Sequence, residues 1–341
     1  MASADDEDPL IGDLSEGAVL RAILARTAPA AHALLGPGDD AAVITTPSGA
    51  VVATADTLVH GPDFRTTWTT GYDLGWKAAA VNLADVAAMG ATPTALLVSL
   101  AVPRGTRLSY VTQMADGLRE ACAALAPGCA VVGGDLTVSE LMMVAVTALG
   151  DLGGRTAVTR AGARPGDVIA LAGELGVAAA GLDLLFQRFR DGETPVAIDS
   201  TKLDAVEQHA LDRQLRPHPP IGLAPAAADA GASAMMDVSD GLTLDAGRMA
   251  EASGAAIDFS GAALDALAFG GDRQRALAGG EDHGLLAAFP SDAVREHGLP
   301  AGFQAIGVVI EGREHGVLVD GTPVVHSGWD PYRDWDGVVS D

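Results

Sequence analysis

Across 341 residues the chain is 48% hydrophobic and 19% charged, which excludes a disordered polypeptide and provides apolar material for two cores. Its 45 acidic residues against 21 basic ones leave a formal charge of −24. That imbalance excludes nucleic acid and anionic membrane surfaces as partners, since both are held by Lys and Arg, and any phosphate ligand would have to arrive with metal.

The opening stretch, Met1 to Glu7, has neither the basic nor the apolar region of a secretory signal. With no apolar run of the roughly 20 residues a membrane span needs, the expected location is cytoplasmic. Cys122 and Cys129 form no CxxC pair and predict buried thiols in a reducing compartment rather than a zinc site.

In chain order, an amphipathic helix is predicted over residues 14–26, with Val19, Leu20, Ile23 and Leu24 on one face. Residues 36–43, a Gly-Pro-Gly turn, set Asp39 beside Asp40 ahead of a strand over 51–55 that delivers Thr54 and Asp56 at its end. Thr70 and Asp73 cap a helix over 71–89. On it Lys77, Val81 and Asp85 share a face with Asn82 beside them, and an aspartate buried in so alanine-rich a segment needs a partner or a metal. A strand over 95–102, a helix over 109–125 and a strand over 130–132 lead into Gly133-Gly134-Asp135, whose glycines let a nucleotide or metal approach the backbone. A strand over 141–150 follows. The pair Gly153-Gly154 is the expected boundary between domains 1–153 and 154–341.

The second half begins with Arg160 and a turn into a strand over 168–172, then a loop and helix over 173–189 and an irregular surface connection over 191–204. A strand over 232–238 carries Asp237; Ser239 and Asp240 are expected to cap a helix ending at Ser253 and closed by Gly254. A helix start after a strand suits an anion. Gly279-Gly280-Glu281-Asp282 precedes a strand over 285–289, Asp320-Gly321 centres a hairpin over 317–325, and Trp329, Tyr332 and Trp335 concentrate aromatics near the end.

Gly36-x-Gly38-x-x-Ala41 is followed by a strand rather than a helix, so it is not a dinucleotide fingerprint. The two lysines, Lys77 and Lys202, exclude a Walker A loop, and neither HExxH nor GxSxG occurs. What remains is an array of aspartates beside glycines, which suits Mg²⁺ shared between carboxylates and substrate phosphates, as phosphoryl transfer requires.

Gly38-Asp39-Asp40-Ala41, Asp56-Thr57-Leu58-Val59, the Lys77 to Gly90 helix, Gly133-Gly134-Asp135, Asp237-Val238-Ser239-Asp240-Gly241-Leu242 and Gly279-Gly280-Glu281-Asp282 occur in an order that resembles the thiamine-monophosphate kinases of the aminoimidazole-ribotide synthetase-like ATPase superfamily. The resemblance implies an α/β, two-domain PurM-like fold whose N-terminal sheet pairs across a homodimer, and transfer of the ATP γ-phosphoryl to thiamine monophosphate with several Mg²⁺ ions. It implies Asp40, Thr54, Asp56, Asp85, Asp135, Asp237 and Asp240 as Mg²⁺ ligands, with Asp56 and Asp240 essential to catalysis. Gly134, Arg160, Ser239 and Tyr110 would meet ATP; Asp63, Glu281 and Trp329 would meet the thiamine moiety, the indole stacking on a cationic ring. The chain departs from the family pattern at Asp63, where a histidine is usual, and at His283-Gly284, where Tyr and Glu are usual. Two other readings are a non-catalytic divalent-ion-binding protein, which lacks an EF-hand spacing here, and selenophosphate synthetase or the hydrogenase maturation dehydratase, whose terminal reactive cysteines have no counterpart in this chain.

Overall fold

The computed structural model describes residues 8–35, 42–312, 316–325 and 327–329. The double-aspartate turn with Asp40, and also Tyr332 and Trp335, lie outside the described residues. The N-terminal half runs α1 (Glu16–Leu24), β1 (Ala33–Leu35), β2 (Val43–Ile44), β3 (Val51–Val59), α2 (Gly71–Ala88), β4 (Thr92–Val102), α3 (Leu108–Leu125), β5 (Ala130–Val138) and β6 (Met143–Asp151). Strands β3 to β6 make a four-stranded sheet in the order β3-β6-β4-β5, with β4 and β5 parallel and the other pairs antiparallel.

Two strands are longer than their apolar cores suggest. β3 pairs with β6 in unbroken register from Val51 to Val59, so Thr54 and Asp56 sit in mid-strand, not at its end. Strand β5 likewise continues through Gly133-Gly134-Asp135 to Val138, because β4 supplies partners along the whole stretch. Side chains alternate across a strand, so Thr54 and Asp56 share one face.

The second half comprises β7 (Val168–Ala172), α4 (Val177–Arg188), β8 (Arg190–Asp191), β9 (Thr194–Pro195), α5 (Ala205–Leu215), α6 (Ala224–Asp229), β10 (Ala234–Val238), α7 (Leu242–Ser253), β11 (Ala256–Phe259), α8 (Gly261–Leu267), α9 (Arg273–Ala278), β12 (Gly284–Phe289), α10 (Ser291–His297), β13 (Gln304–Ile310), β14 (Val317–Val319) and β15 (Thr322–Pro323). Seven of these strands form one sheet, ordered β10-β12-β7-β13-β11-β14-β15, in which only β11 and β14 run parallel. The irregular connection after α4 contains the small β8-β9 ladder. Asp320 and Gly321, at φ 49° and 76°, turn the expected hairpin between β14 and β15.

Helix α2 is the pivot of the molecule. Thr70 and Asp73 close its N-terminus as a reciprocal capping box, and every residue from Gly71 to Ala88 except Tyr72 and Asp85 is buried. A helix enclosed on all sides needs small residues, which explains its alanines. Against α3 the backbones nearly touch: a Cβ on Gly75 would lie 2.0 Å from the Met114 carbonyl oxygen, and one on Gly117 would lie 2.1 Å from that of Tyr72. One core runs from β6 through α2 to Met235, Leu285 and Phe289 of the seven-stranded sheet, so the two halves share it. Indole N–H groups pin them further: Trp76 donates to the Pro217 carbonyl at 2.8 Å, and Trp68 to Phe189 and Val196 at 3.1 and 3.2 Å. Among the described residues no helix is long and apolar enough to cross a membrane.

Candidate active site

Half-buried Asp85, near the C-terminal end of α2, and the facing strand β3 form one wall of a cleft. Thr54 Oγ1 donates to Asp85 Oδ2 at 2.8 Å, while Asp56 N–H donates to the buried Asn82 Oδ1 at 3.0 Å. Asn82 Nδ2 in turn donates to the Ala78 carbonyl at 2.9 Å, so a single amide locks strand to helix. Asp63, in the loop after β3, accepts from Val59 N–H at 2.7 Å.

The opposite wall is the end of β10 and the start of α7. Asp237 is buried and lies 3.1 Å from Nδ1 of the buried His283. Ser239 and Asp240 do not cap α7 with their side chains; Gly241 holds the cap position at φ 124°. Asp245, fully buried in the first turn of α7, accepts from both the Ser239 and Asp240 N–H groups at 3.0 Å and so folds the turn from inside. Arg248 donates to Asp240 and Asp245 at 2.6 Å each. The Ser239 carbonyl accepts from Glu281 N–H at 2.7 Å, and the Asp240 carbonyl accepts from Trp329 N–H at 3.0 Å. Thus Ser239, Asp240, Glu281 and Trp329 form one rim. Glu281 and His283 adopt left-handed φ of 71° and 52°, sparsely populated for such residues and characteristic of sites held in place by their surroundings.

Across the cleft Lys77 Nζ pairs with Glu281 Oε2, and Gln214 Nε2 donates to the same oxygen at 3.3 Å. Burial alone would raise Glu281, but Lys77, His283 and Gln214 outweigh it and hold the carboxyl below its usual range. The other acids move the opposite way. Burial pushes Asp56 up, and Asp237 and Asp240 push it further against the opposing pull of His283. Asp85 is raised to about 6 by burial first, then by Asp237 and Asp56. Asp63 is raised by burial and by Glu281 and Asp56, with Val59 N–H and Lys77 opposing. Carboxylates that repel one another this way call for a cation.

Their chemistry fits Mg²⁺, which takes hard oxygen ligands and is held by one or two carboxylates together with substrate phosphates. Among the described residues no three His, Cys, Asp or Glu side chains converge tightly enough to hold an ion by themselves. Asp56 and Asp85 on one wall face Asp237 and Asp240 on the other closely enough to repel them.

Residues 38–152 match the AIR synthase related protein N-terminal domain and residues 164–320 the corresponding C-terminal domain. The thiamine-monophosphate kinase of Mycobacterium tuberculosis is 41% identical over 339 residues, covering 96% of this chain and 93% of that protein. The chain belongs to the thiamine-monophosphate kinase family. The crystal structure of thiamine-monophosphate kinase from Stenotrophomonas maltophilia superposes with a TM-score of 0.73 at 35% identity, covering 91% of this chain and 98% of that one. A structure of AaThiL complexed with AMPPCP and TMP gives a TM-score of 0.71 at 33% identity, covering 85% and 90%.

Within this member of the thiamine-monophosphate kinase family, four residues expected around the nucleotide and metal stand apart from the cleft. Asp135 lies in a cross-strand row with Ser99, Ala145 and Thr57, whereas Asp56 lies in the row with Val146, Val98 and Gly134. Directly opposed residues share a sheet face, so Asp135 and Asp56 occupy opposite faces, on edge strands about 14 Å apart at three strand spacings. Gly134 answers to packing as well as to any ligand, because a Cβ there would lie 1.9 Å from the Val98 carbonyl oxygen. The Tyr110 hydroxyl donates to the Thr69 carbonyl at 3.1 Å, near the N-terminus of α2 and roughly 20 Å along that helix from Asp85. Exposed Arg160 is tied by its carbonyl to Ser253 Oγ at 3.2 Å, at the far end of α7 from Asp240.

Gln214, Asp245 and Arg248 have no place in the sequence-based reading, and Asn82 appears there only beside the face of Lys77 and Asp85. Asp245 carried a usable signal, an acid in the first turn of a predicted helix. Gln214 and Arg248 carried none, since their partners are fixed only by tertiary packing.

Proposed function

We propose that this chain transfers the γ-phosphoryl group of ATP to thiamine monophosphate, giving thiamine diphosphate and ADP, by direct in-line transfer. The observation that carries the reading is the convergence of Asp56 and Asp85 with Asp237 and Asp240 on one cleft, where they repel one another and cationic side chains are few. The named complex of AaThiL with AMPPCP and TMP supports the pair of ligands.

In the transfer a phosphate oxygen of thiamine monophosphate attacks the γ-phosphorus, and the bond to the β–γ bridging oxygen breaks, leaving ADP. Both reactants are anionic. Mg²⁺ ions, when bound, would neutralise the phosphates and the charge that develops between them. Asp56, Asp85, Asp237 and Asp240, with Thr54, Asp40 and Asp135, would hold those ions, and Asn82 fixes the backbone of Asp56 relative to α2. Ser239, Gly134, Arg160 and Tyr110 are assigned to ATP. Glu281, kept ionised by Lys77, and Asp63 beside it would attract the thiazolium cation, while Trp329 offers a ring face at the same rim.

The separation of Asp135 from Asp56 supports a homodimer. The sheet face that carries Asp135 also exposes Val51, Leu97 and Met143. A second copy covering that face would bury them and bring Gly134 and Asp135 toward its partner's cleft. We set the domain boundary at Gly153-Gly154, between the last strand of one sheet and the first of the other.

The test is an ATP-dependent conversion assay against thiamine, thiamine monophosphate and aminoimidazole ribotide precursors. Product from thiamine monophosphate alone is expected. Asp56→Asn and Asp240→Asn should each reduce turnover by more than about 100-fold while the fold persists, because Asn keeps the shape and removes the charge, and Arg248 retains Asp245 as a partner when Asp240 is neutralised. Near-normal rates in both variants would reject the metal assignment, and tight Mg²⁺ binding with no nucleotide affinity would favour a non-catalytic protein.

A further inference from the structure

His283 joins two features that neither fold nor hydrogen bonding requires of it. Its imidazole is 6% exposed, yet Nε2 has no hydrogen-bond partner, and its backbone holds a left-handed φ of 52°. That conformation turns the residue back along β10, where its N–H donates to the Val238 carbonyl at 2.9 Å and its Nδ1 faces Asp237 Oδ2 at 3.1 Å. An ionised carboxylate only accepts, so Nδ1 carries the hydrogen. Asp237 itself is 6% exposed, and among the described residues no other group donates a hydrogen bond to its carboxylate.

A carboxylate held through one oxygen is fixed in direction, while its second oxygen has no protein hydrogen bond among the described residues. Groups that hold a metal-binding carboxylate from behind commonly change metal affinity 10- to 100-fold when removed. From this geometry we infer that His283 is a positioning residue for Asp237, fixing the carboxylate so that its remaining oxygen is presented to a divalent cation in the cleft. The inference rests on the reading of Asp237 as a cation-binding acid. The strained backbone is explained by it: the left-handed turn puts Nδ1, rather than the chain, against Asp237.

Two substitutions separate this role from simple packing. Asn tolerates left-handed φ and can place its side-chain amide where Nδ1 stands, while Gly tolerates the same φ and offers no donor. Mg²⁺ binding to the full chain saturated with a non-hydrolysable ATP analogue, followed by isothermal titration, is expected to weaken 10- to 100-fold in His283→Gly and to stay within about threefold of the original in His283→Asn. Folding of each variant is checked by circular dichroism. A folded His283→Gly with unchanged Mg²⁺ affinity overturns the inference, as does a tenfold loss in His283→Asn, which remains decisive if the Gly variant does not fold. Failure of the unaltered chain to bind Mg²⁺ with the nucleotide analogue present would instead overturn the underlying metal reading.

Discussion

Lys77 is only 4% exposed in a helix of alanines, a costly position for an ammonium group unless something answers its charge. The answer comes from Glu281, 204 residues away, with Gln214 on the same carboxylate. Breaking a fully buried pair costs about 3–5 kcal/mol; with the Glu281 side chain 37% open, Glu281→Gln is expected to cost about 2 kcal/mol. Lys77→Met with Glu281→Gln should recover part of that loss in a double-mutant cycle of urea midpoints, and strict additivity would count against the pair. At the same rim, Trp329→Ala should raise KM for thiamine monophosphate roughly tenfold and that for ATP much less, as the loss of one cation–π contact predicts. Equal changes in both constants would argue against stacking. Asp56, Asp85, Asp237 and Asp240 were legible as acids bordering apolar segments. The pairing of His283 with Asp237 and of Arg248 with Asp240 was not, because each depends on a backbone turn or on a neighbour brought in by the fold.

Helix α2 converts close packing into site geometry, since Lys77, Asn82 and Asp85 project from a rod wedged between α3 and the two sheets. Its contact with α3 leaves no room for a methyl group at Gly117, whose Cβ would meet the Tyr72 carbonyl at 2.1 Å. Gly117→Ala should therefore cost about 2–3 kcal/mol through displaced backbone, despite alanine's better helix propensity. A urea midpoint at or above that of the unaltered chain would refute so tight a contact. The longer elements of the first half were legible because, of the 18-residue helices, α2 opens on a capping box and α3 carries a clear apolar period. Strands β11 and β13 and helices α5, α8 and α9 were not. They are four to eleven residues long, too short for periodicity to stand out, and are placed by the sheet they join. The same limit hid the true ends of β3 and β5, which are fixed by cross-strand partners and not by local composition.

For the molecule as a whole, the concentration of acids links stability to protons and, on the proposed metal reading, to magnesium. Burial raises Asp85, Asp245 and Asp282 to about 6, and Asp56 and Asp63 also lie above the ordinary carboxyl range. In the unfolded chain such groups ionise near pH ~4, so between that value and about 6 the folded state binds more protons. Stability from these groups is thus present at the acid end of that window and is lost as pH rises through 6. In EDTA, the melting temperature should fall between pH 5 and 7, and Asp85→Asn should flatten part of that fall. Under the proposed metal reading a divalent cation would replace the proton in neutralising Asp56 and Asp85, but not Asp245 and Asp282, which are occupied by backbone N–H groups. Saturating Mg²⁺ should accordingly raise the melting temperature more at pH 7.5 than at pH 5, by about 2.7 kcal/mol of stability at 100 times its dissociation constant. A melting temperature that climbs from pH 5 to 7 in EDTA, or a magnesium effect larger at pH 5, would mean that these acids are not the groups through which the cleft senses its cation.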